Sequence, residues 1–274
     1  MRETIESIAK NAERANPKQD NDYIGNDNLL YCGSCHTPKQ CVIKNDCIGE
    51  LIVNCLCKCK VEEQKRRQAE EKARKLKERA ELWQNIAFKN APKLKGINFD
   101  VDDMGNEKLH NFAKKYADDF SPKGSPNLLF FGNCGNGKSF TAACILHEVI
   151  KNGFTGFFAT VSDISNELWG AEDKQPVMDK IRNVDLLVID DFGAERSNSD
   201  YSAQIRYDII NARYQSGKPT IFTSNLAAEE LFGEGFDLQT KRTFSRIMEN
   251  TQAIKFKGKD RRVQSLKKHN LIEV

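Results

Sequence analysis

Asn127-Leu128-Leu129-Phe130-Phe131-Gly132-Asn133-Cys134-Gly135-Asn136-Gly137-Lys138-Ser139 is the stretch that decides how this chain folds. Its first five residues are a short apolar run that reads as a buried strand, and Lys138–Lys151 reads as the helix that follows. Between them, Gly132 to Ser139 match G-x-x-x-x-G-K-[ST] in full. Glycines let a backbone wrap a phosphate chain and turn successive N–H groups inward. The helix start adds its positive dipole end to the same anion. Lys138 is expected to reach the β- and γ-phosphates of a nucleotide, and the Ser139 hydroxyl to complete the coordination of Mg²⁺. The expected nucleotide-contacting set is Gly132, Asn133, Cys134, Gly135, Asn136, Gly137, Lys138, Ser139 and Phe140. A glycine-rich turn with a chance lysine is the bland reading; it leaves the strand before and the helix after unexplained.

Working outward, Val184–Asp190, apolar without a break from Leu186 to Ile189, reads as a strand covered on both faces, and it ends in Asp190-Asp191. Acids at the carboxyl end of such a strand lie where α/β folds bind their ligands. Asp190 is the candidate Mg²⁺ carboxylate, and Asp191 the group that orients or activates the attacking water. Helix capping is the bland alternative for the two acids. Pro219–Ser224 forms another strand, after which Asn225 could hydrogen-bond the γ-phosphate or the lytic water. Phe154–Val161 reads as a further strand, Asp163–Ala171 and Tyr201–Gln215 as helices, and Ala253–Phe256 as a last strand. Strands alternating with helices predict an α/β fold: a parallel sheet flanked on both faces.

The rest of the chain is polar. Charged residues make up 30% of the 274, yet net charge is only +3, so any contact with nucleic acid must come from local patches. No apolar run approaches the roughly 18–20 residues that span a bilayer. Met1 to Asp22 holds no apolar signal-like core, so a cytoplasmic location is expected. Composition divides the chain into a polar N-terminus over 1–28, with a short helix at Glu3–Arg14, and a cysteine-rich module over 29–60. A charged linker over 61–96, an ATPase domain over 97–262 and a tail over 263–274 follow. From Lys60 to Asn90 the residues are strong helix formers, with opposite charges at helical spacing such as Glu71 and Lys75. A solvated linker helix is the reading adopted.

Seven of the nine cysteines fall between Cys32 and Cys59, with Cys134 and Cys144 in and beyond the phosphate loop. Clustering of thiols in a reducing compartment points first to a metal. Cys32-Gly33-Ser34-Cys35 is a C-x-x-C knuckle, and Cys55-Leu56-Cys57-Lys58-Cys59 follows some twenty residues on. The separation suits a tetrahedral Zn²⁺ ribbon held by Cys32, Cys35, Cys57 and Cys59, and Cys55 could replace either of the last two. Cys41, Cys47 and His36 are spare, and reduced thiols without metal are the bland reading. So short a module buries too little apolar surface to fold alone, so metal would supply its folding energy.

Further stretches carry a family likeness. They are Ile97-Asn98-Phe99-Asp100 with Asp102-Asp103, Leu187-Val188-Ile189-Asp190-Asp191-Phe192-Gly193-Ala194-Glu195-Arg196, Thr223-Ser224-Asn225-Leu226 and Arg242-Thr243-Phe244-Ser245-Arg246. With the phosphate loop, they make residues 97 to 262 resemble a DnaC-type replicative helicase loader, an AAA+ ATPase of bacterial or phage replication. The resemblance implies ATP, Mg²⁺ and slow, partner-dependent hydrolysis, because Asp191 stands where many related ATPases carry Glu. It implies Asn225 as sensor 1 and Arg262 as the sensor 2 arginine. Arg246 is implied as an arginine finger for a neighbouring subunit, with Arg242 in reserve; one alignment puts the finger at Asn250, which has no charge. The implied partners are a ring-shaped replicative helicase, gripped by the N-terminal module, single-stranded DNA along a basic groove of the core, and further copies of the chain. Within Ser162–Ala171, Asn166 and Trp169 are weak candidates for the DNA contact, Trp169 reading rather as a packing residue. A transposition helper ATPase acting on duplex DNA and a nucleotide-holding adaptor with little turnover are the competing readings.

Overall fold

The computed structural model describes residues 17–45, 49–101, 106–193, 200–226, 241–242, 245–246 and 248–257. The expected helix at Glu3–Arg14, and Cys47, Asp102, Asp103, Glu195, Arg196, Thr243, Phe244 and Arg262, lie outside them. The chain divides into two compact units, Met1–Lys75 and Leu76–Val274.

The first unit holds two small antiparallel pairs. Strand β1 (Tyr23–Ile24) pairs with β2 (Leu30–Tyr31), and β3 (Gln40–Asn45) pairs with β4 (Gly49–Asn54) from Gln40↔Asn54 to Asn45↔Gly49. Val42, Ile43, Leu51 and Ile52 of the longer pair are exposed, whereas Cys32 and Cys57 are buried. Lys39 Nζ meets Asp22 Oδ2 at 2.6 Å with both side chains out of water. The unit thus closes around thiols and one ion pair rather than an apolar core. Helix α1 (Lys58–Ala87) opens between Cys57 and Cys59 and carries exposed pairs such as Glu71–Lys75 (2.6 Å). Pairs that exposed contribute little in water, and the helix rests mainly on intrinsic propensity until Ala80 and Ala87 are buried.

In the second unit the elements run α2 (Glu107–Asp118), β5 (Asn127–Phe131), α3 (Lys138–Lys151), β6 (Gly156–Thr160), α4 (Val161–Gly170), α5 (Gln175–Asn183), β7 (Leu186–Asp190), α6 (Asp200–Ser216), β8 (Thr220–Ser224) and β9 (Thr251–Lys255). The five strands form one parallel sheet in the order β6-β7-β8-β5-β9. Alternate strand residues feed opposite faces. Leu128, Phe130, Phe158, Leu186, Val188 and Ile221 pack with α2, α3 and the end of α1. Leu129, Phe157, Leu187, Ile189 and Phe222 pack with α4, α5 and α6. The expected α/β architecture is therefore present, with both faces covered. Among the described residues no helix is long and apolar enough to cross a membrane.

Three local expectations need correcting. The strand expected to run to Val161 stops at Thr160, because Thr160 and Asp163 form a reciprocal capping box and the helix starts at Val161 rather than Asp163. Trp169, expected to pack, is 77% exposed. Val161, Ile164 and Leu168 form the buried stripe of α4, and the next residue is turned about 100° away from it. Helices α2 and α5 and both small hairpins were not anticipated.

Candidate functional site

Strand β5 delivers the chain to Gly132, where φ is +133° and an added Cβ would stand 2.4 Å from the Phe256 carbonyl oxygen. Only glycine fits both the conformation and the contact. Gly137 caps α3 with φ of 92°, again in the left-handed region. Lys138 is the first helical residue, and its side chain is folded into the loop: Nζ donates to the carbonyls of Gly132 and Asn133, both at 2.7 Å.

Opposite the loop, β7 ends on Asp190, which is buried. Its Oδ1 accepts a 2.5 Å hydrogen bond from the Thr223 hydroxyl, and the Ser139 hydroxyl also donates to it. Burial pushes the Asp190 carboxyl above the usual carboxylate range, while the Thr223 and Ser139 hydrogen bonds pull it back. Asp191 takes the left-handed conformation (φ 51°), rare for a residue with a side chain. Its N–H donates to the same Thr223 hydroxyl at 3.0 Å, and its Oδ1 accepts from Asn225 Nδ2 at 3.0 Å. Lys138, Ser139, Asp191 and Asn225 share a cavity of about 280 Å³ with Leu94, Cys134, Gly135, Asn136, Gly137 and Phe140. Asp190 adjoins it through Ser139.

Thus the structure brings Lys138, Ser139, Asp190, Asp191 and Asn225 to one place. Gly132 and Asn133 contribute through their carbonyls. Arg246 is elsewhere: its guanidinium lies over the Tyr214 ring, 5.6 Å from the centroid, and lines a cavity with Asn127 and Thr220, the first residues of β5 and β8. That is the opposite end of the sheet from the phosphate loop. Arg242 is exposed, and Asn250 lines the same cavity as Arg246. The residues that reading the sequence missed are Thr223, which ties the two acids together, and Leu94, an apolar side chain at the cavity. Thr223 had a signal: it is a hydroxyl at a fully buried strand position, which needs a partner. Leu94 had none.

In the first unit the Sγ atoms of Cys32, Cys35, Cys57 and Cys59 all lie within 4.8 Å of one another. Cys59 Sγ is 3.6 Å from Cys32 Sγ and 3.3 Å from Cys57 Sγ. Four thiolates about 2.3 Å from a tetrahedral ion would stand about 3.8 Å apart, so the donor set and spacing fit Zn²⁺. The thiols differ in acidity: the hydrogen bond that Cys59 shares with Cys57 helps push the Cys59 thiol up to about 12, whereas the Thr37 hydroxyl, 3.0 Å from Cys35 Sγ, holds that thiol down at about 5. Cys55 is turned toward the Pro38 carbonyl, 3.5 Å away, and stands outside the set.

A five-stranded parallel sheet with a glycine loop after one strand and paired acids after another defines an AAA+ P-loop core. The chain matches the family described as IstB-like ATP binding protein over residues 62–269, and it belongs to that family. The replicative helicase loader DnaC of Escherichia coli (strain K12) is 30% identical over 156 residues, covering 55% of this chain and 59% of that protein. The replicative helicase loader DnaI of Bacillus subtilis (strain 168) is 26% identical over 167 residues, covering 57% and 53%. The chain thus spans less than two thirds of the curated relatives it matches. A solved DnaI structure shares the fold with a TM-score of 0.53 at 23% identity, covering 62% of this chain and 92% of that one. A solved DnaC helicase loader gives 0.51 at 23% identity, over 61% and 100%.

Proposed function

We propose that this chain is an ATP-hydrolysing loader that delivers a ring-shaped replicative helicase onto single-stranded DNA. The observation that carries the reading is the convergence of Lys138 and Ser139 with Asp190, Asp191 and Asn225 on one cavity. Lys138 exchanges its two loop carbonyls for β- and γ-phosphate oxygens. Ser139 and Asp190 would hold Mg²⁺, which would supply charge neutralisation at the phosphates. Asp191, held by Asn225, orients the attacking water and takes its proton as the terminal P–O bond breaks. Arg262, outside the described residues, is the proposed sensor 2 arginine for the bound nucleotide. Arg246, facing away from the chain's own loop, is suited to act as a finger only toward the nucleotide of a neighbouring copy, which ties turnover to self-assembly.

Cys32, Cys35, Cys57 and Cys59 would hold Zn²⁺, which would supply folding energy to the first unit; in this reading that unit is the helicase-gripping module. The similarity to two helicase loaders favours this over a transposition helper on the same core. Co-purification with candidate helicases of the host, in ATP and in ADP and with zinc measured on the same sample, is the test. Capture that depends on the nucleotide supports loading. Retention of a transposase instead of a helicase would replace the loader with the transposition helper. Phosphate release with and without single-stranded DNA, compared with Asp191→Asn, separates an ATPase from an adaptor: no release above background under any condition leaves only the adaptor.

A further inference from the structure

The phosphate loop touches Phe256, at the end of a strand that does not line the cavity. β9 lies at the sheet edge, parallel to β5 in the register Asn127↔Thr251 to Phe131↔Lys255. One residue on, the Phe256 N–H donates to the Phe131 carbonyl at 2.8 Å, so the two chains leave the sheet side by side. The Phe256 ring is buried against Phe130, with centroids 5.1 Å apart. Its carbonyl points into the phosphate loop. There Gly132 leaves room for it, and Asn136 Nδ2 donates to it at 3.3 Å. The other half of that amide, Asn136 Oδ1, is buried and has no hydrogen-bond partner. The G-x-x-x-x-G-K-[ST] pattern does not ask for Asn at this position, so phosphate binding alone does not explain the amide.

We propose that Asn136 is a positioning residue that couples the phosphate loop to the end of β9, so that filling the nucleotide site resets the strand end at Lys255, Phe256 and Lys257. The inference rests on the nucleotide-binding reading above. In the loop as it stands, Lys138 is bonded to the Gly132 and Asn133 carbonyls. Phosphate draws Lys138 away, frees both carbonyls and re-seats the backbone from Gly132 to Gly137, which carries Asn136 with it. Phe256 is held to that loop by one amide hydrogen bond and by close contact at Gly132, and it senses the change through both.

Hydrogen–deuterium exchange on the full chain, with and without Mg²⁺ and a slowly hydrolysed ATP analogue, tests the coupling. In the wild type, nucleotide should slow exchange of the loop amides 134–139 and, by about tenfold, of the β9 amides 253–256. With the analogue raised until the loop response saturates in each protein, Asn136→Ala should lose most of the strand response. Asn136→Ser, which keeps a short donor, should restore part of it. Unchanged nucleotide-dependent slowing in β9 of Asn136→Ala would overturn the proposal, as would a wild-type β9 indifferent to nucleotide while the loop responds. A wild type in which neither loop nor strand responds would instead remove the nucleotide-binding reading, and this inference with it. A purely architectural role for Asn136 predicts faster β9 exchange in the Ala variant with the nucleotide response intact, and that outcome counts against coupling.

Discussion

Thr223 is uncharged and fully buried, yet its hydroxyl donates to the Asp190 carboxylate and accepts from the Asp191 backbone, holding two adjacent acids in different orientations. Hydrogen bonds to charged groups contribute about 1.5–3 kcal/mol, so Thr223→Val should lower Mg·ATP turnover by about 10- to 100-fold, with Thr223→Ser recovering most of it. Steady-state phosphate release measures this, and turnover equal to wild type in the Val variant would remove Thr223 from the machinery. Asp190 offers a second test. Its carboxyl is raised by burial, so in the metal-free protein the native state binds more protons than the unfolded chain between the ordinary carboxylate range and that raised value. Stability is therefore lost as pH rises through this window and stays lower above it. Asp190→Asn should raise the melting temperature of metal-free protein at neutral pH, by about 2–4 °C for each kcal/mol recovered, and should abolish the Mg²⁺ dependence of nucleotide binding. In the wild type, Mg²⁺-dependent binding should weaken with falling pH sooner than an ordinary aspartate would allow. A variant less stable than wild type at neutral pH would contradict this account.

At the scale of elements, the end of α6 is tied to the sheet by a buried cation as well as by its apolar side chains. Arg213 is 2% exposed and donates to the Thr220 hydroxyl (3.1 Å) and to the carbonyls of Ile181 (3.0 Å), Val184 (2.8 Å) and Pro219 (2.5 Å). It thereby pins the end of α5 and the starts of β7 and β8, the two strands that deliver Asp190 and Asn225. Burial pushes its guanidinium down to about 9, but the fork of carbonyls keeps its donors satisfied. Arg213→Met should cost about 3 kcal/mol or more, because several buried carbonyls lose their donor at once. A lowered urea midpoint with an unchanged slope is the expected reading, and Arg213→Lys should fall between the two. This residue was illegible beforehand: in the sequence it is one more cation on a helix, and only the arrival of three strand and helix ends around it gives it work. The strands themselves were legible, because runs such as Leu186 to Ile189 are apolar on both faces. Helix α5 was not, because with Ile181 its only buried residue it offers too thin an apolar stripe to read.

Across the whole molecule, the two units rest on different physics. The first has few buried apolar side chains and four converging thiols, the second a sheet with apolar cores on both faces. Chelation of zinc, or Cys57→Ser, should therefore unfold the first unit, seen as lost dichroism and rapid amide exchange over residues 23–54. Nucleotide binding at the phosphate loop should change by less than about threefold, because metal energy supports only the unit that contains it. Equal loss of both on chelation would show that the second unit depends on the first. The amino-acid sequence alone determined the alternation that makes the sheet, the loop from Gly132 to Ser139, the acids after β7 and the two cysteine knuckles, because each is a local pattern whose chemistry needs those residue types at that spacing. Tertiary structure alone decided that Cys55 turns away from the other thiols, that Trp169 faces water, that Arg246 lies far from its own phosphate loop, and which partners Thr223, Arg213 and Asn136 meet. Each of these depends on groups distant in sequence arriving within a few ångströms, and no local pattern encodes such a distance.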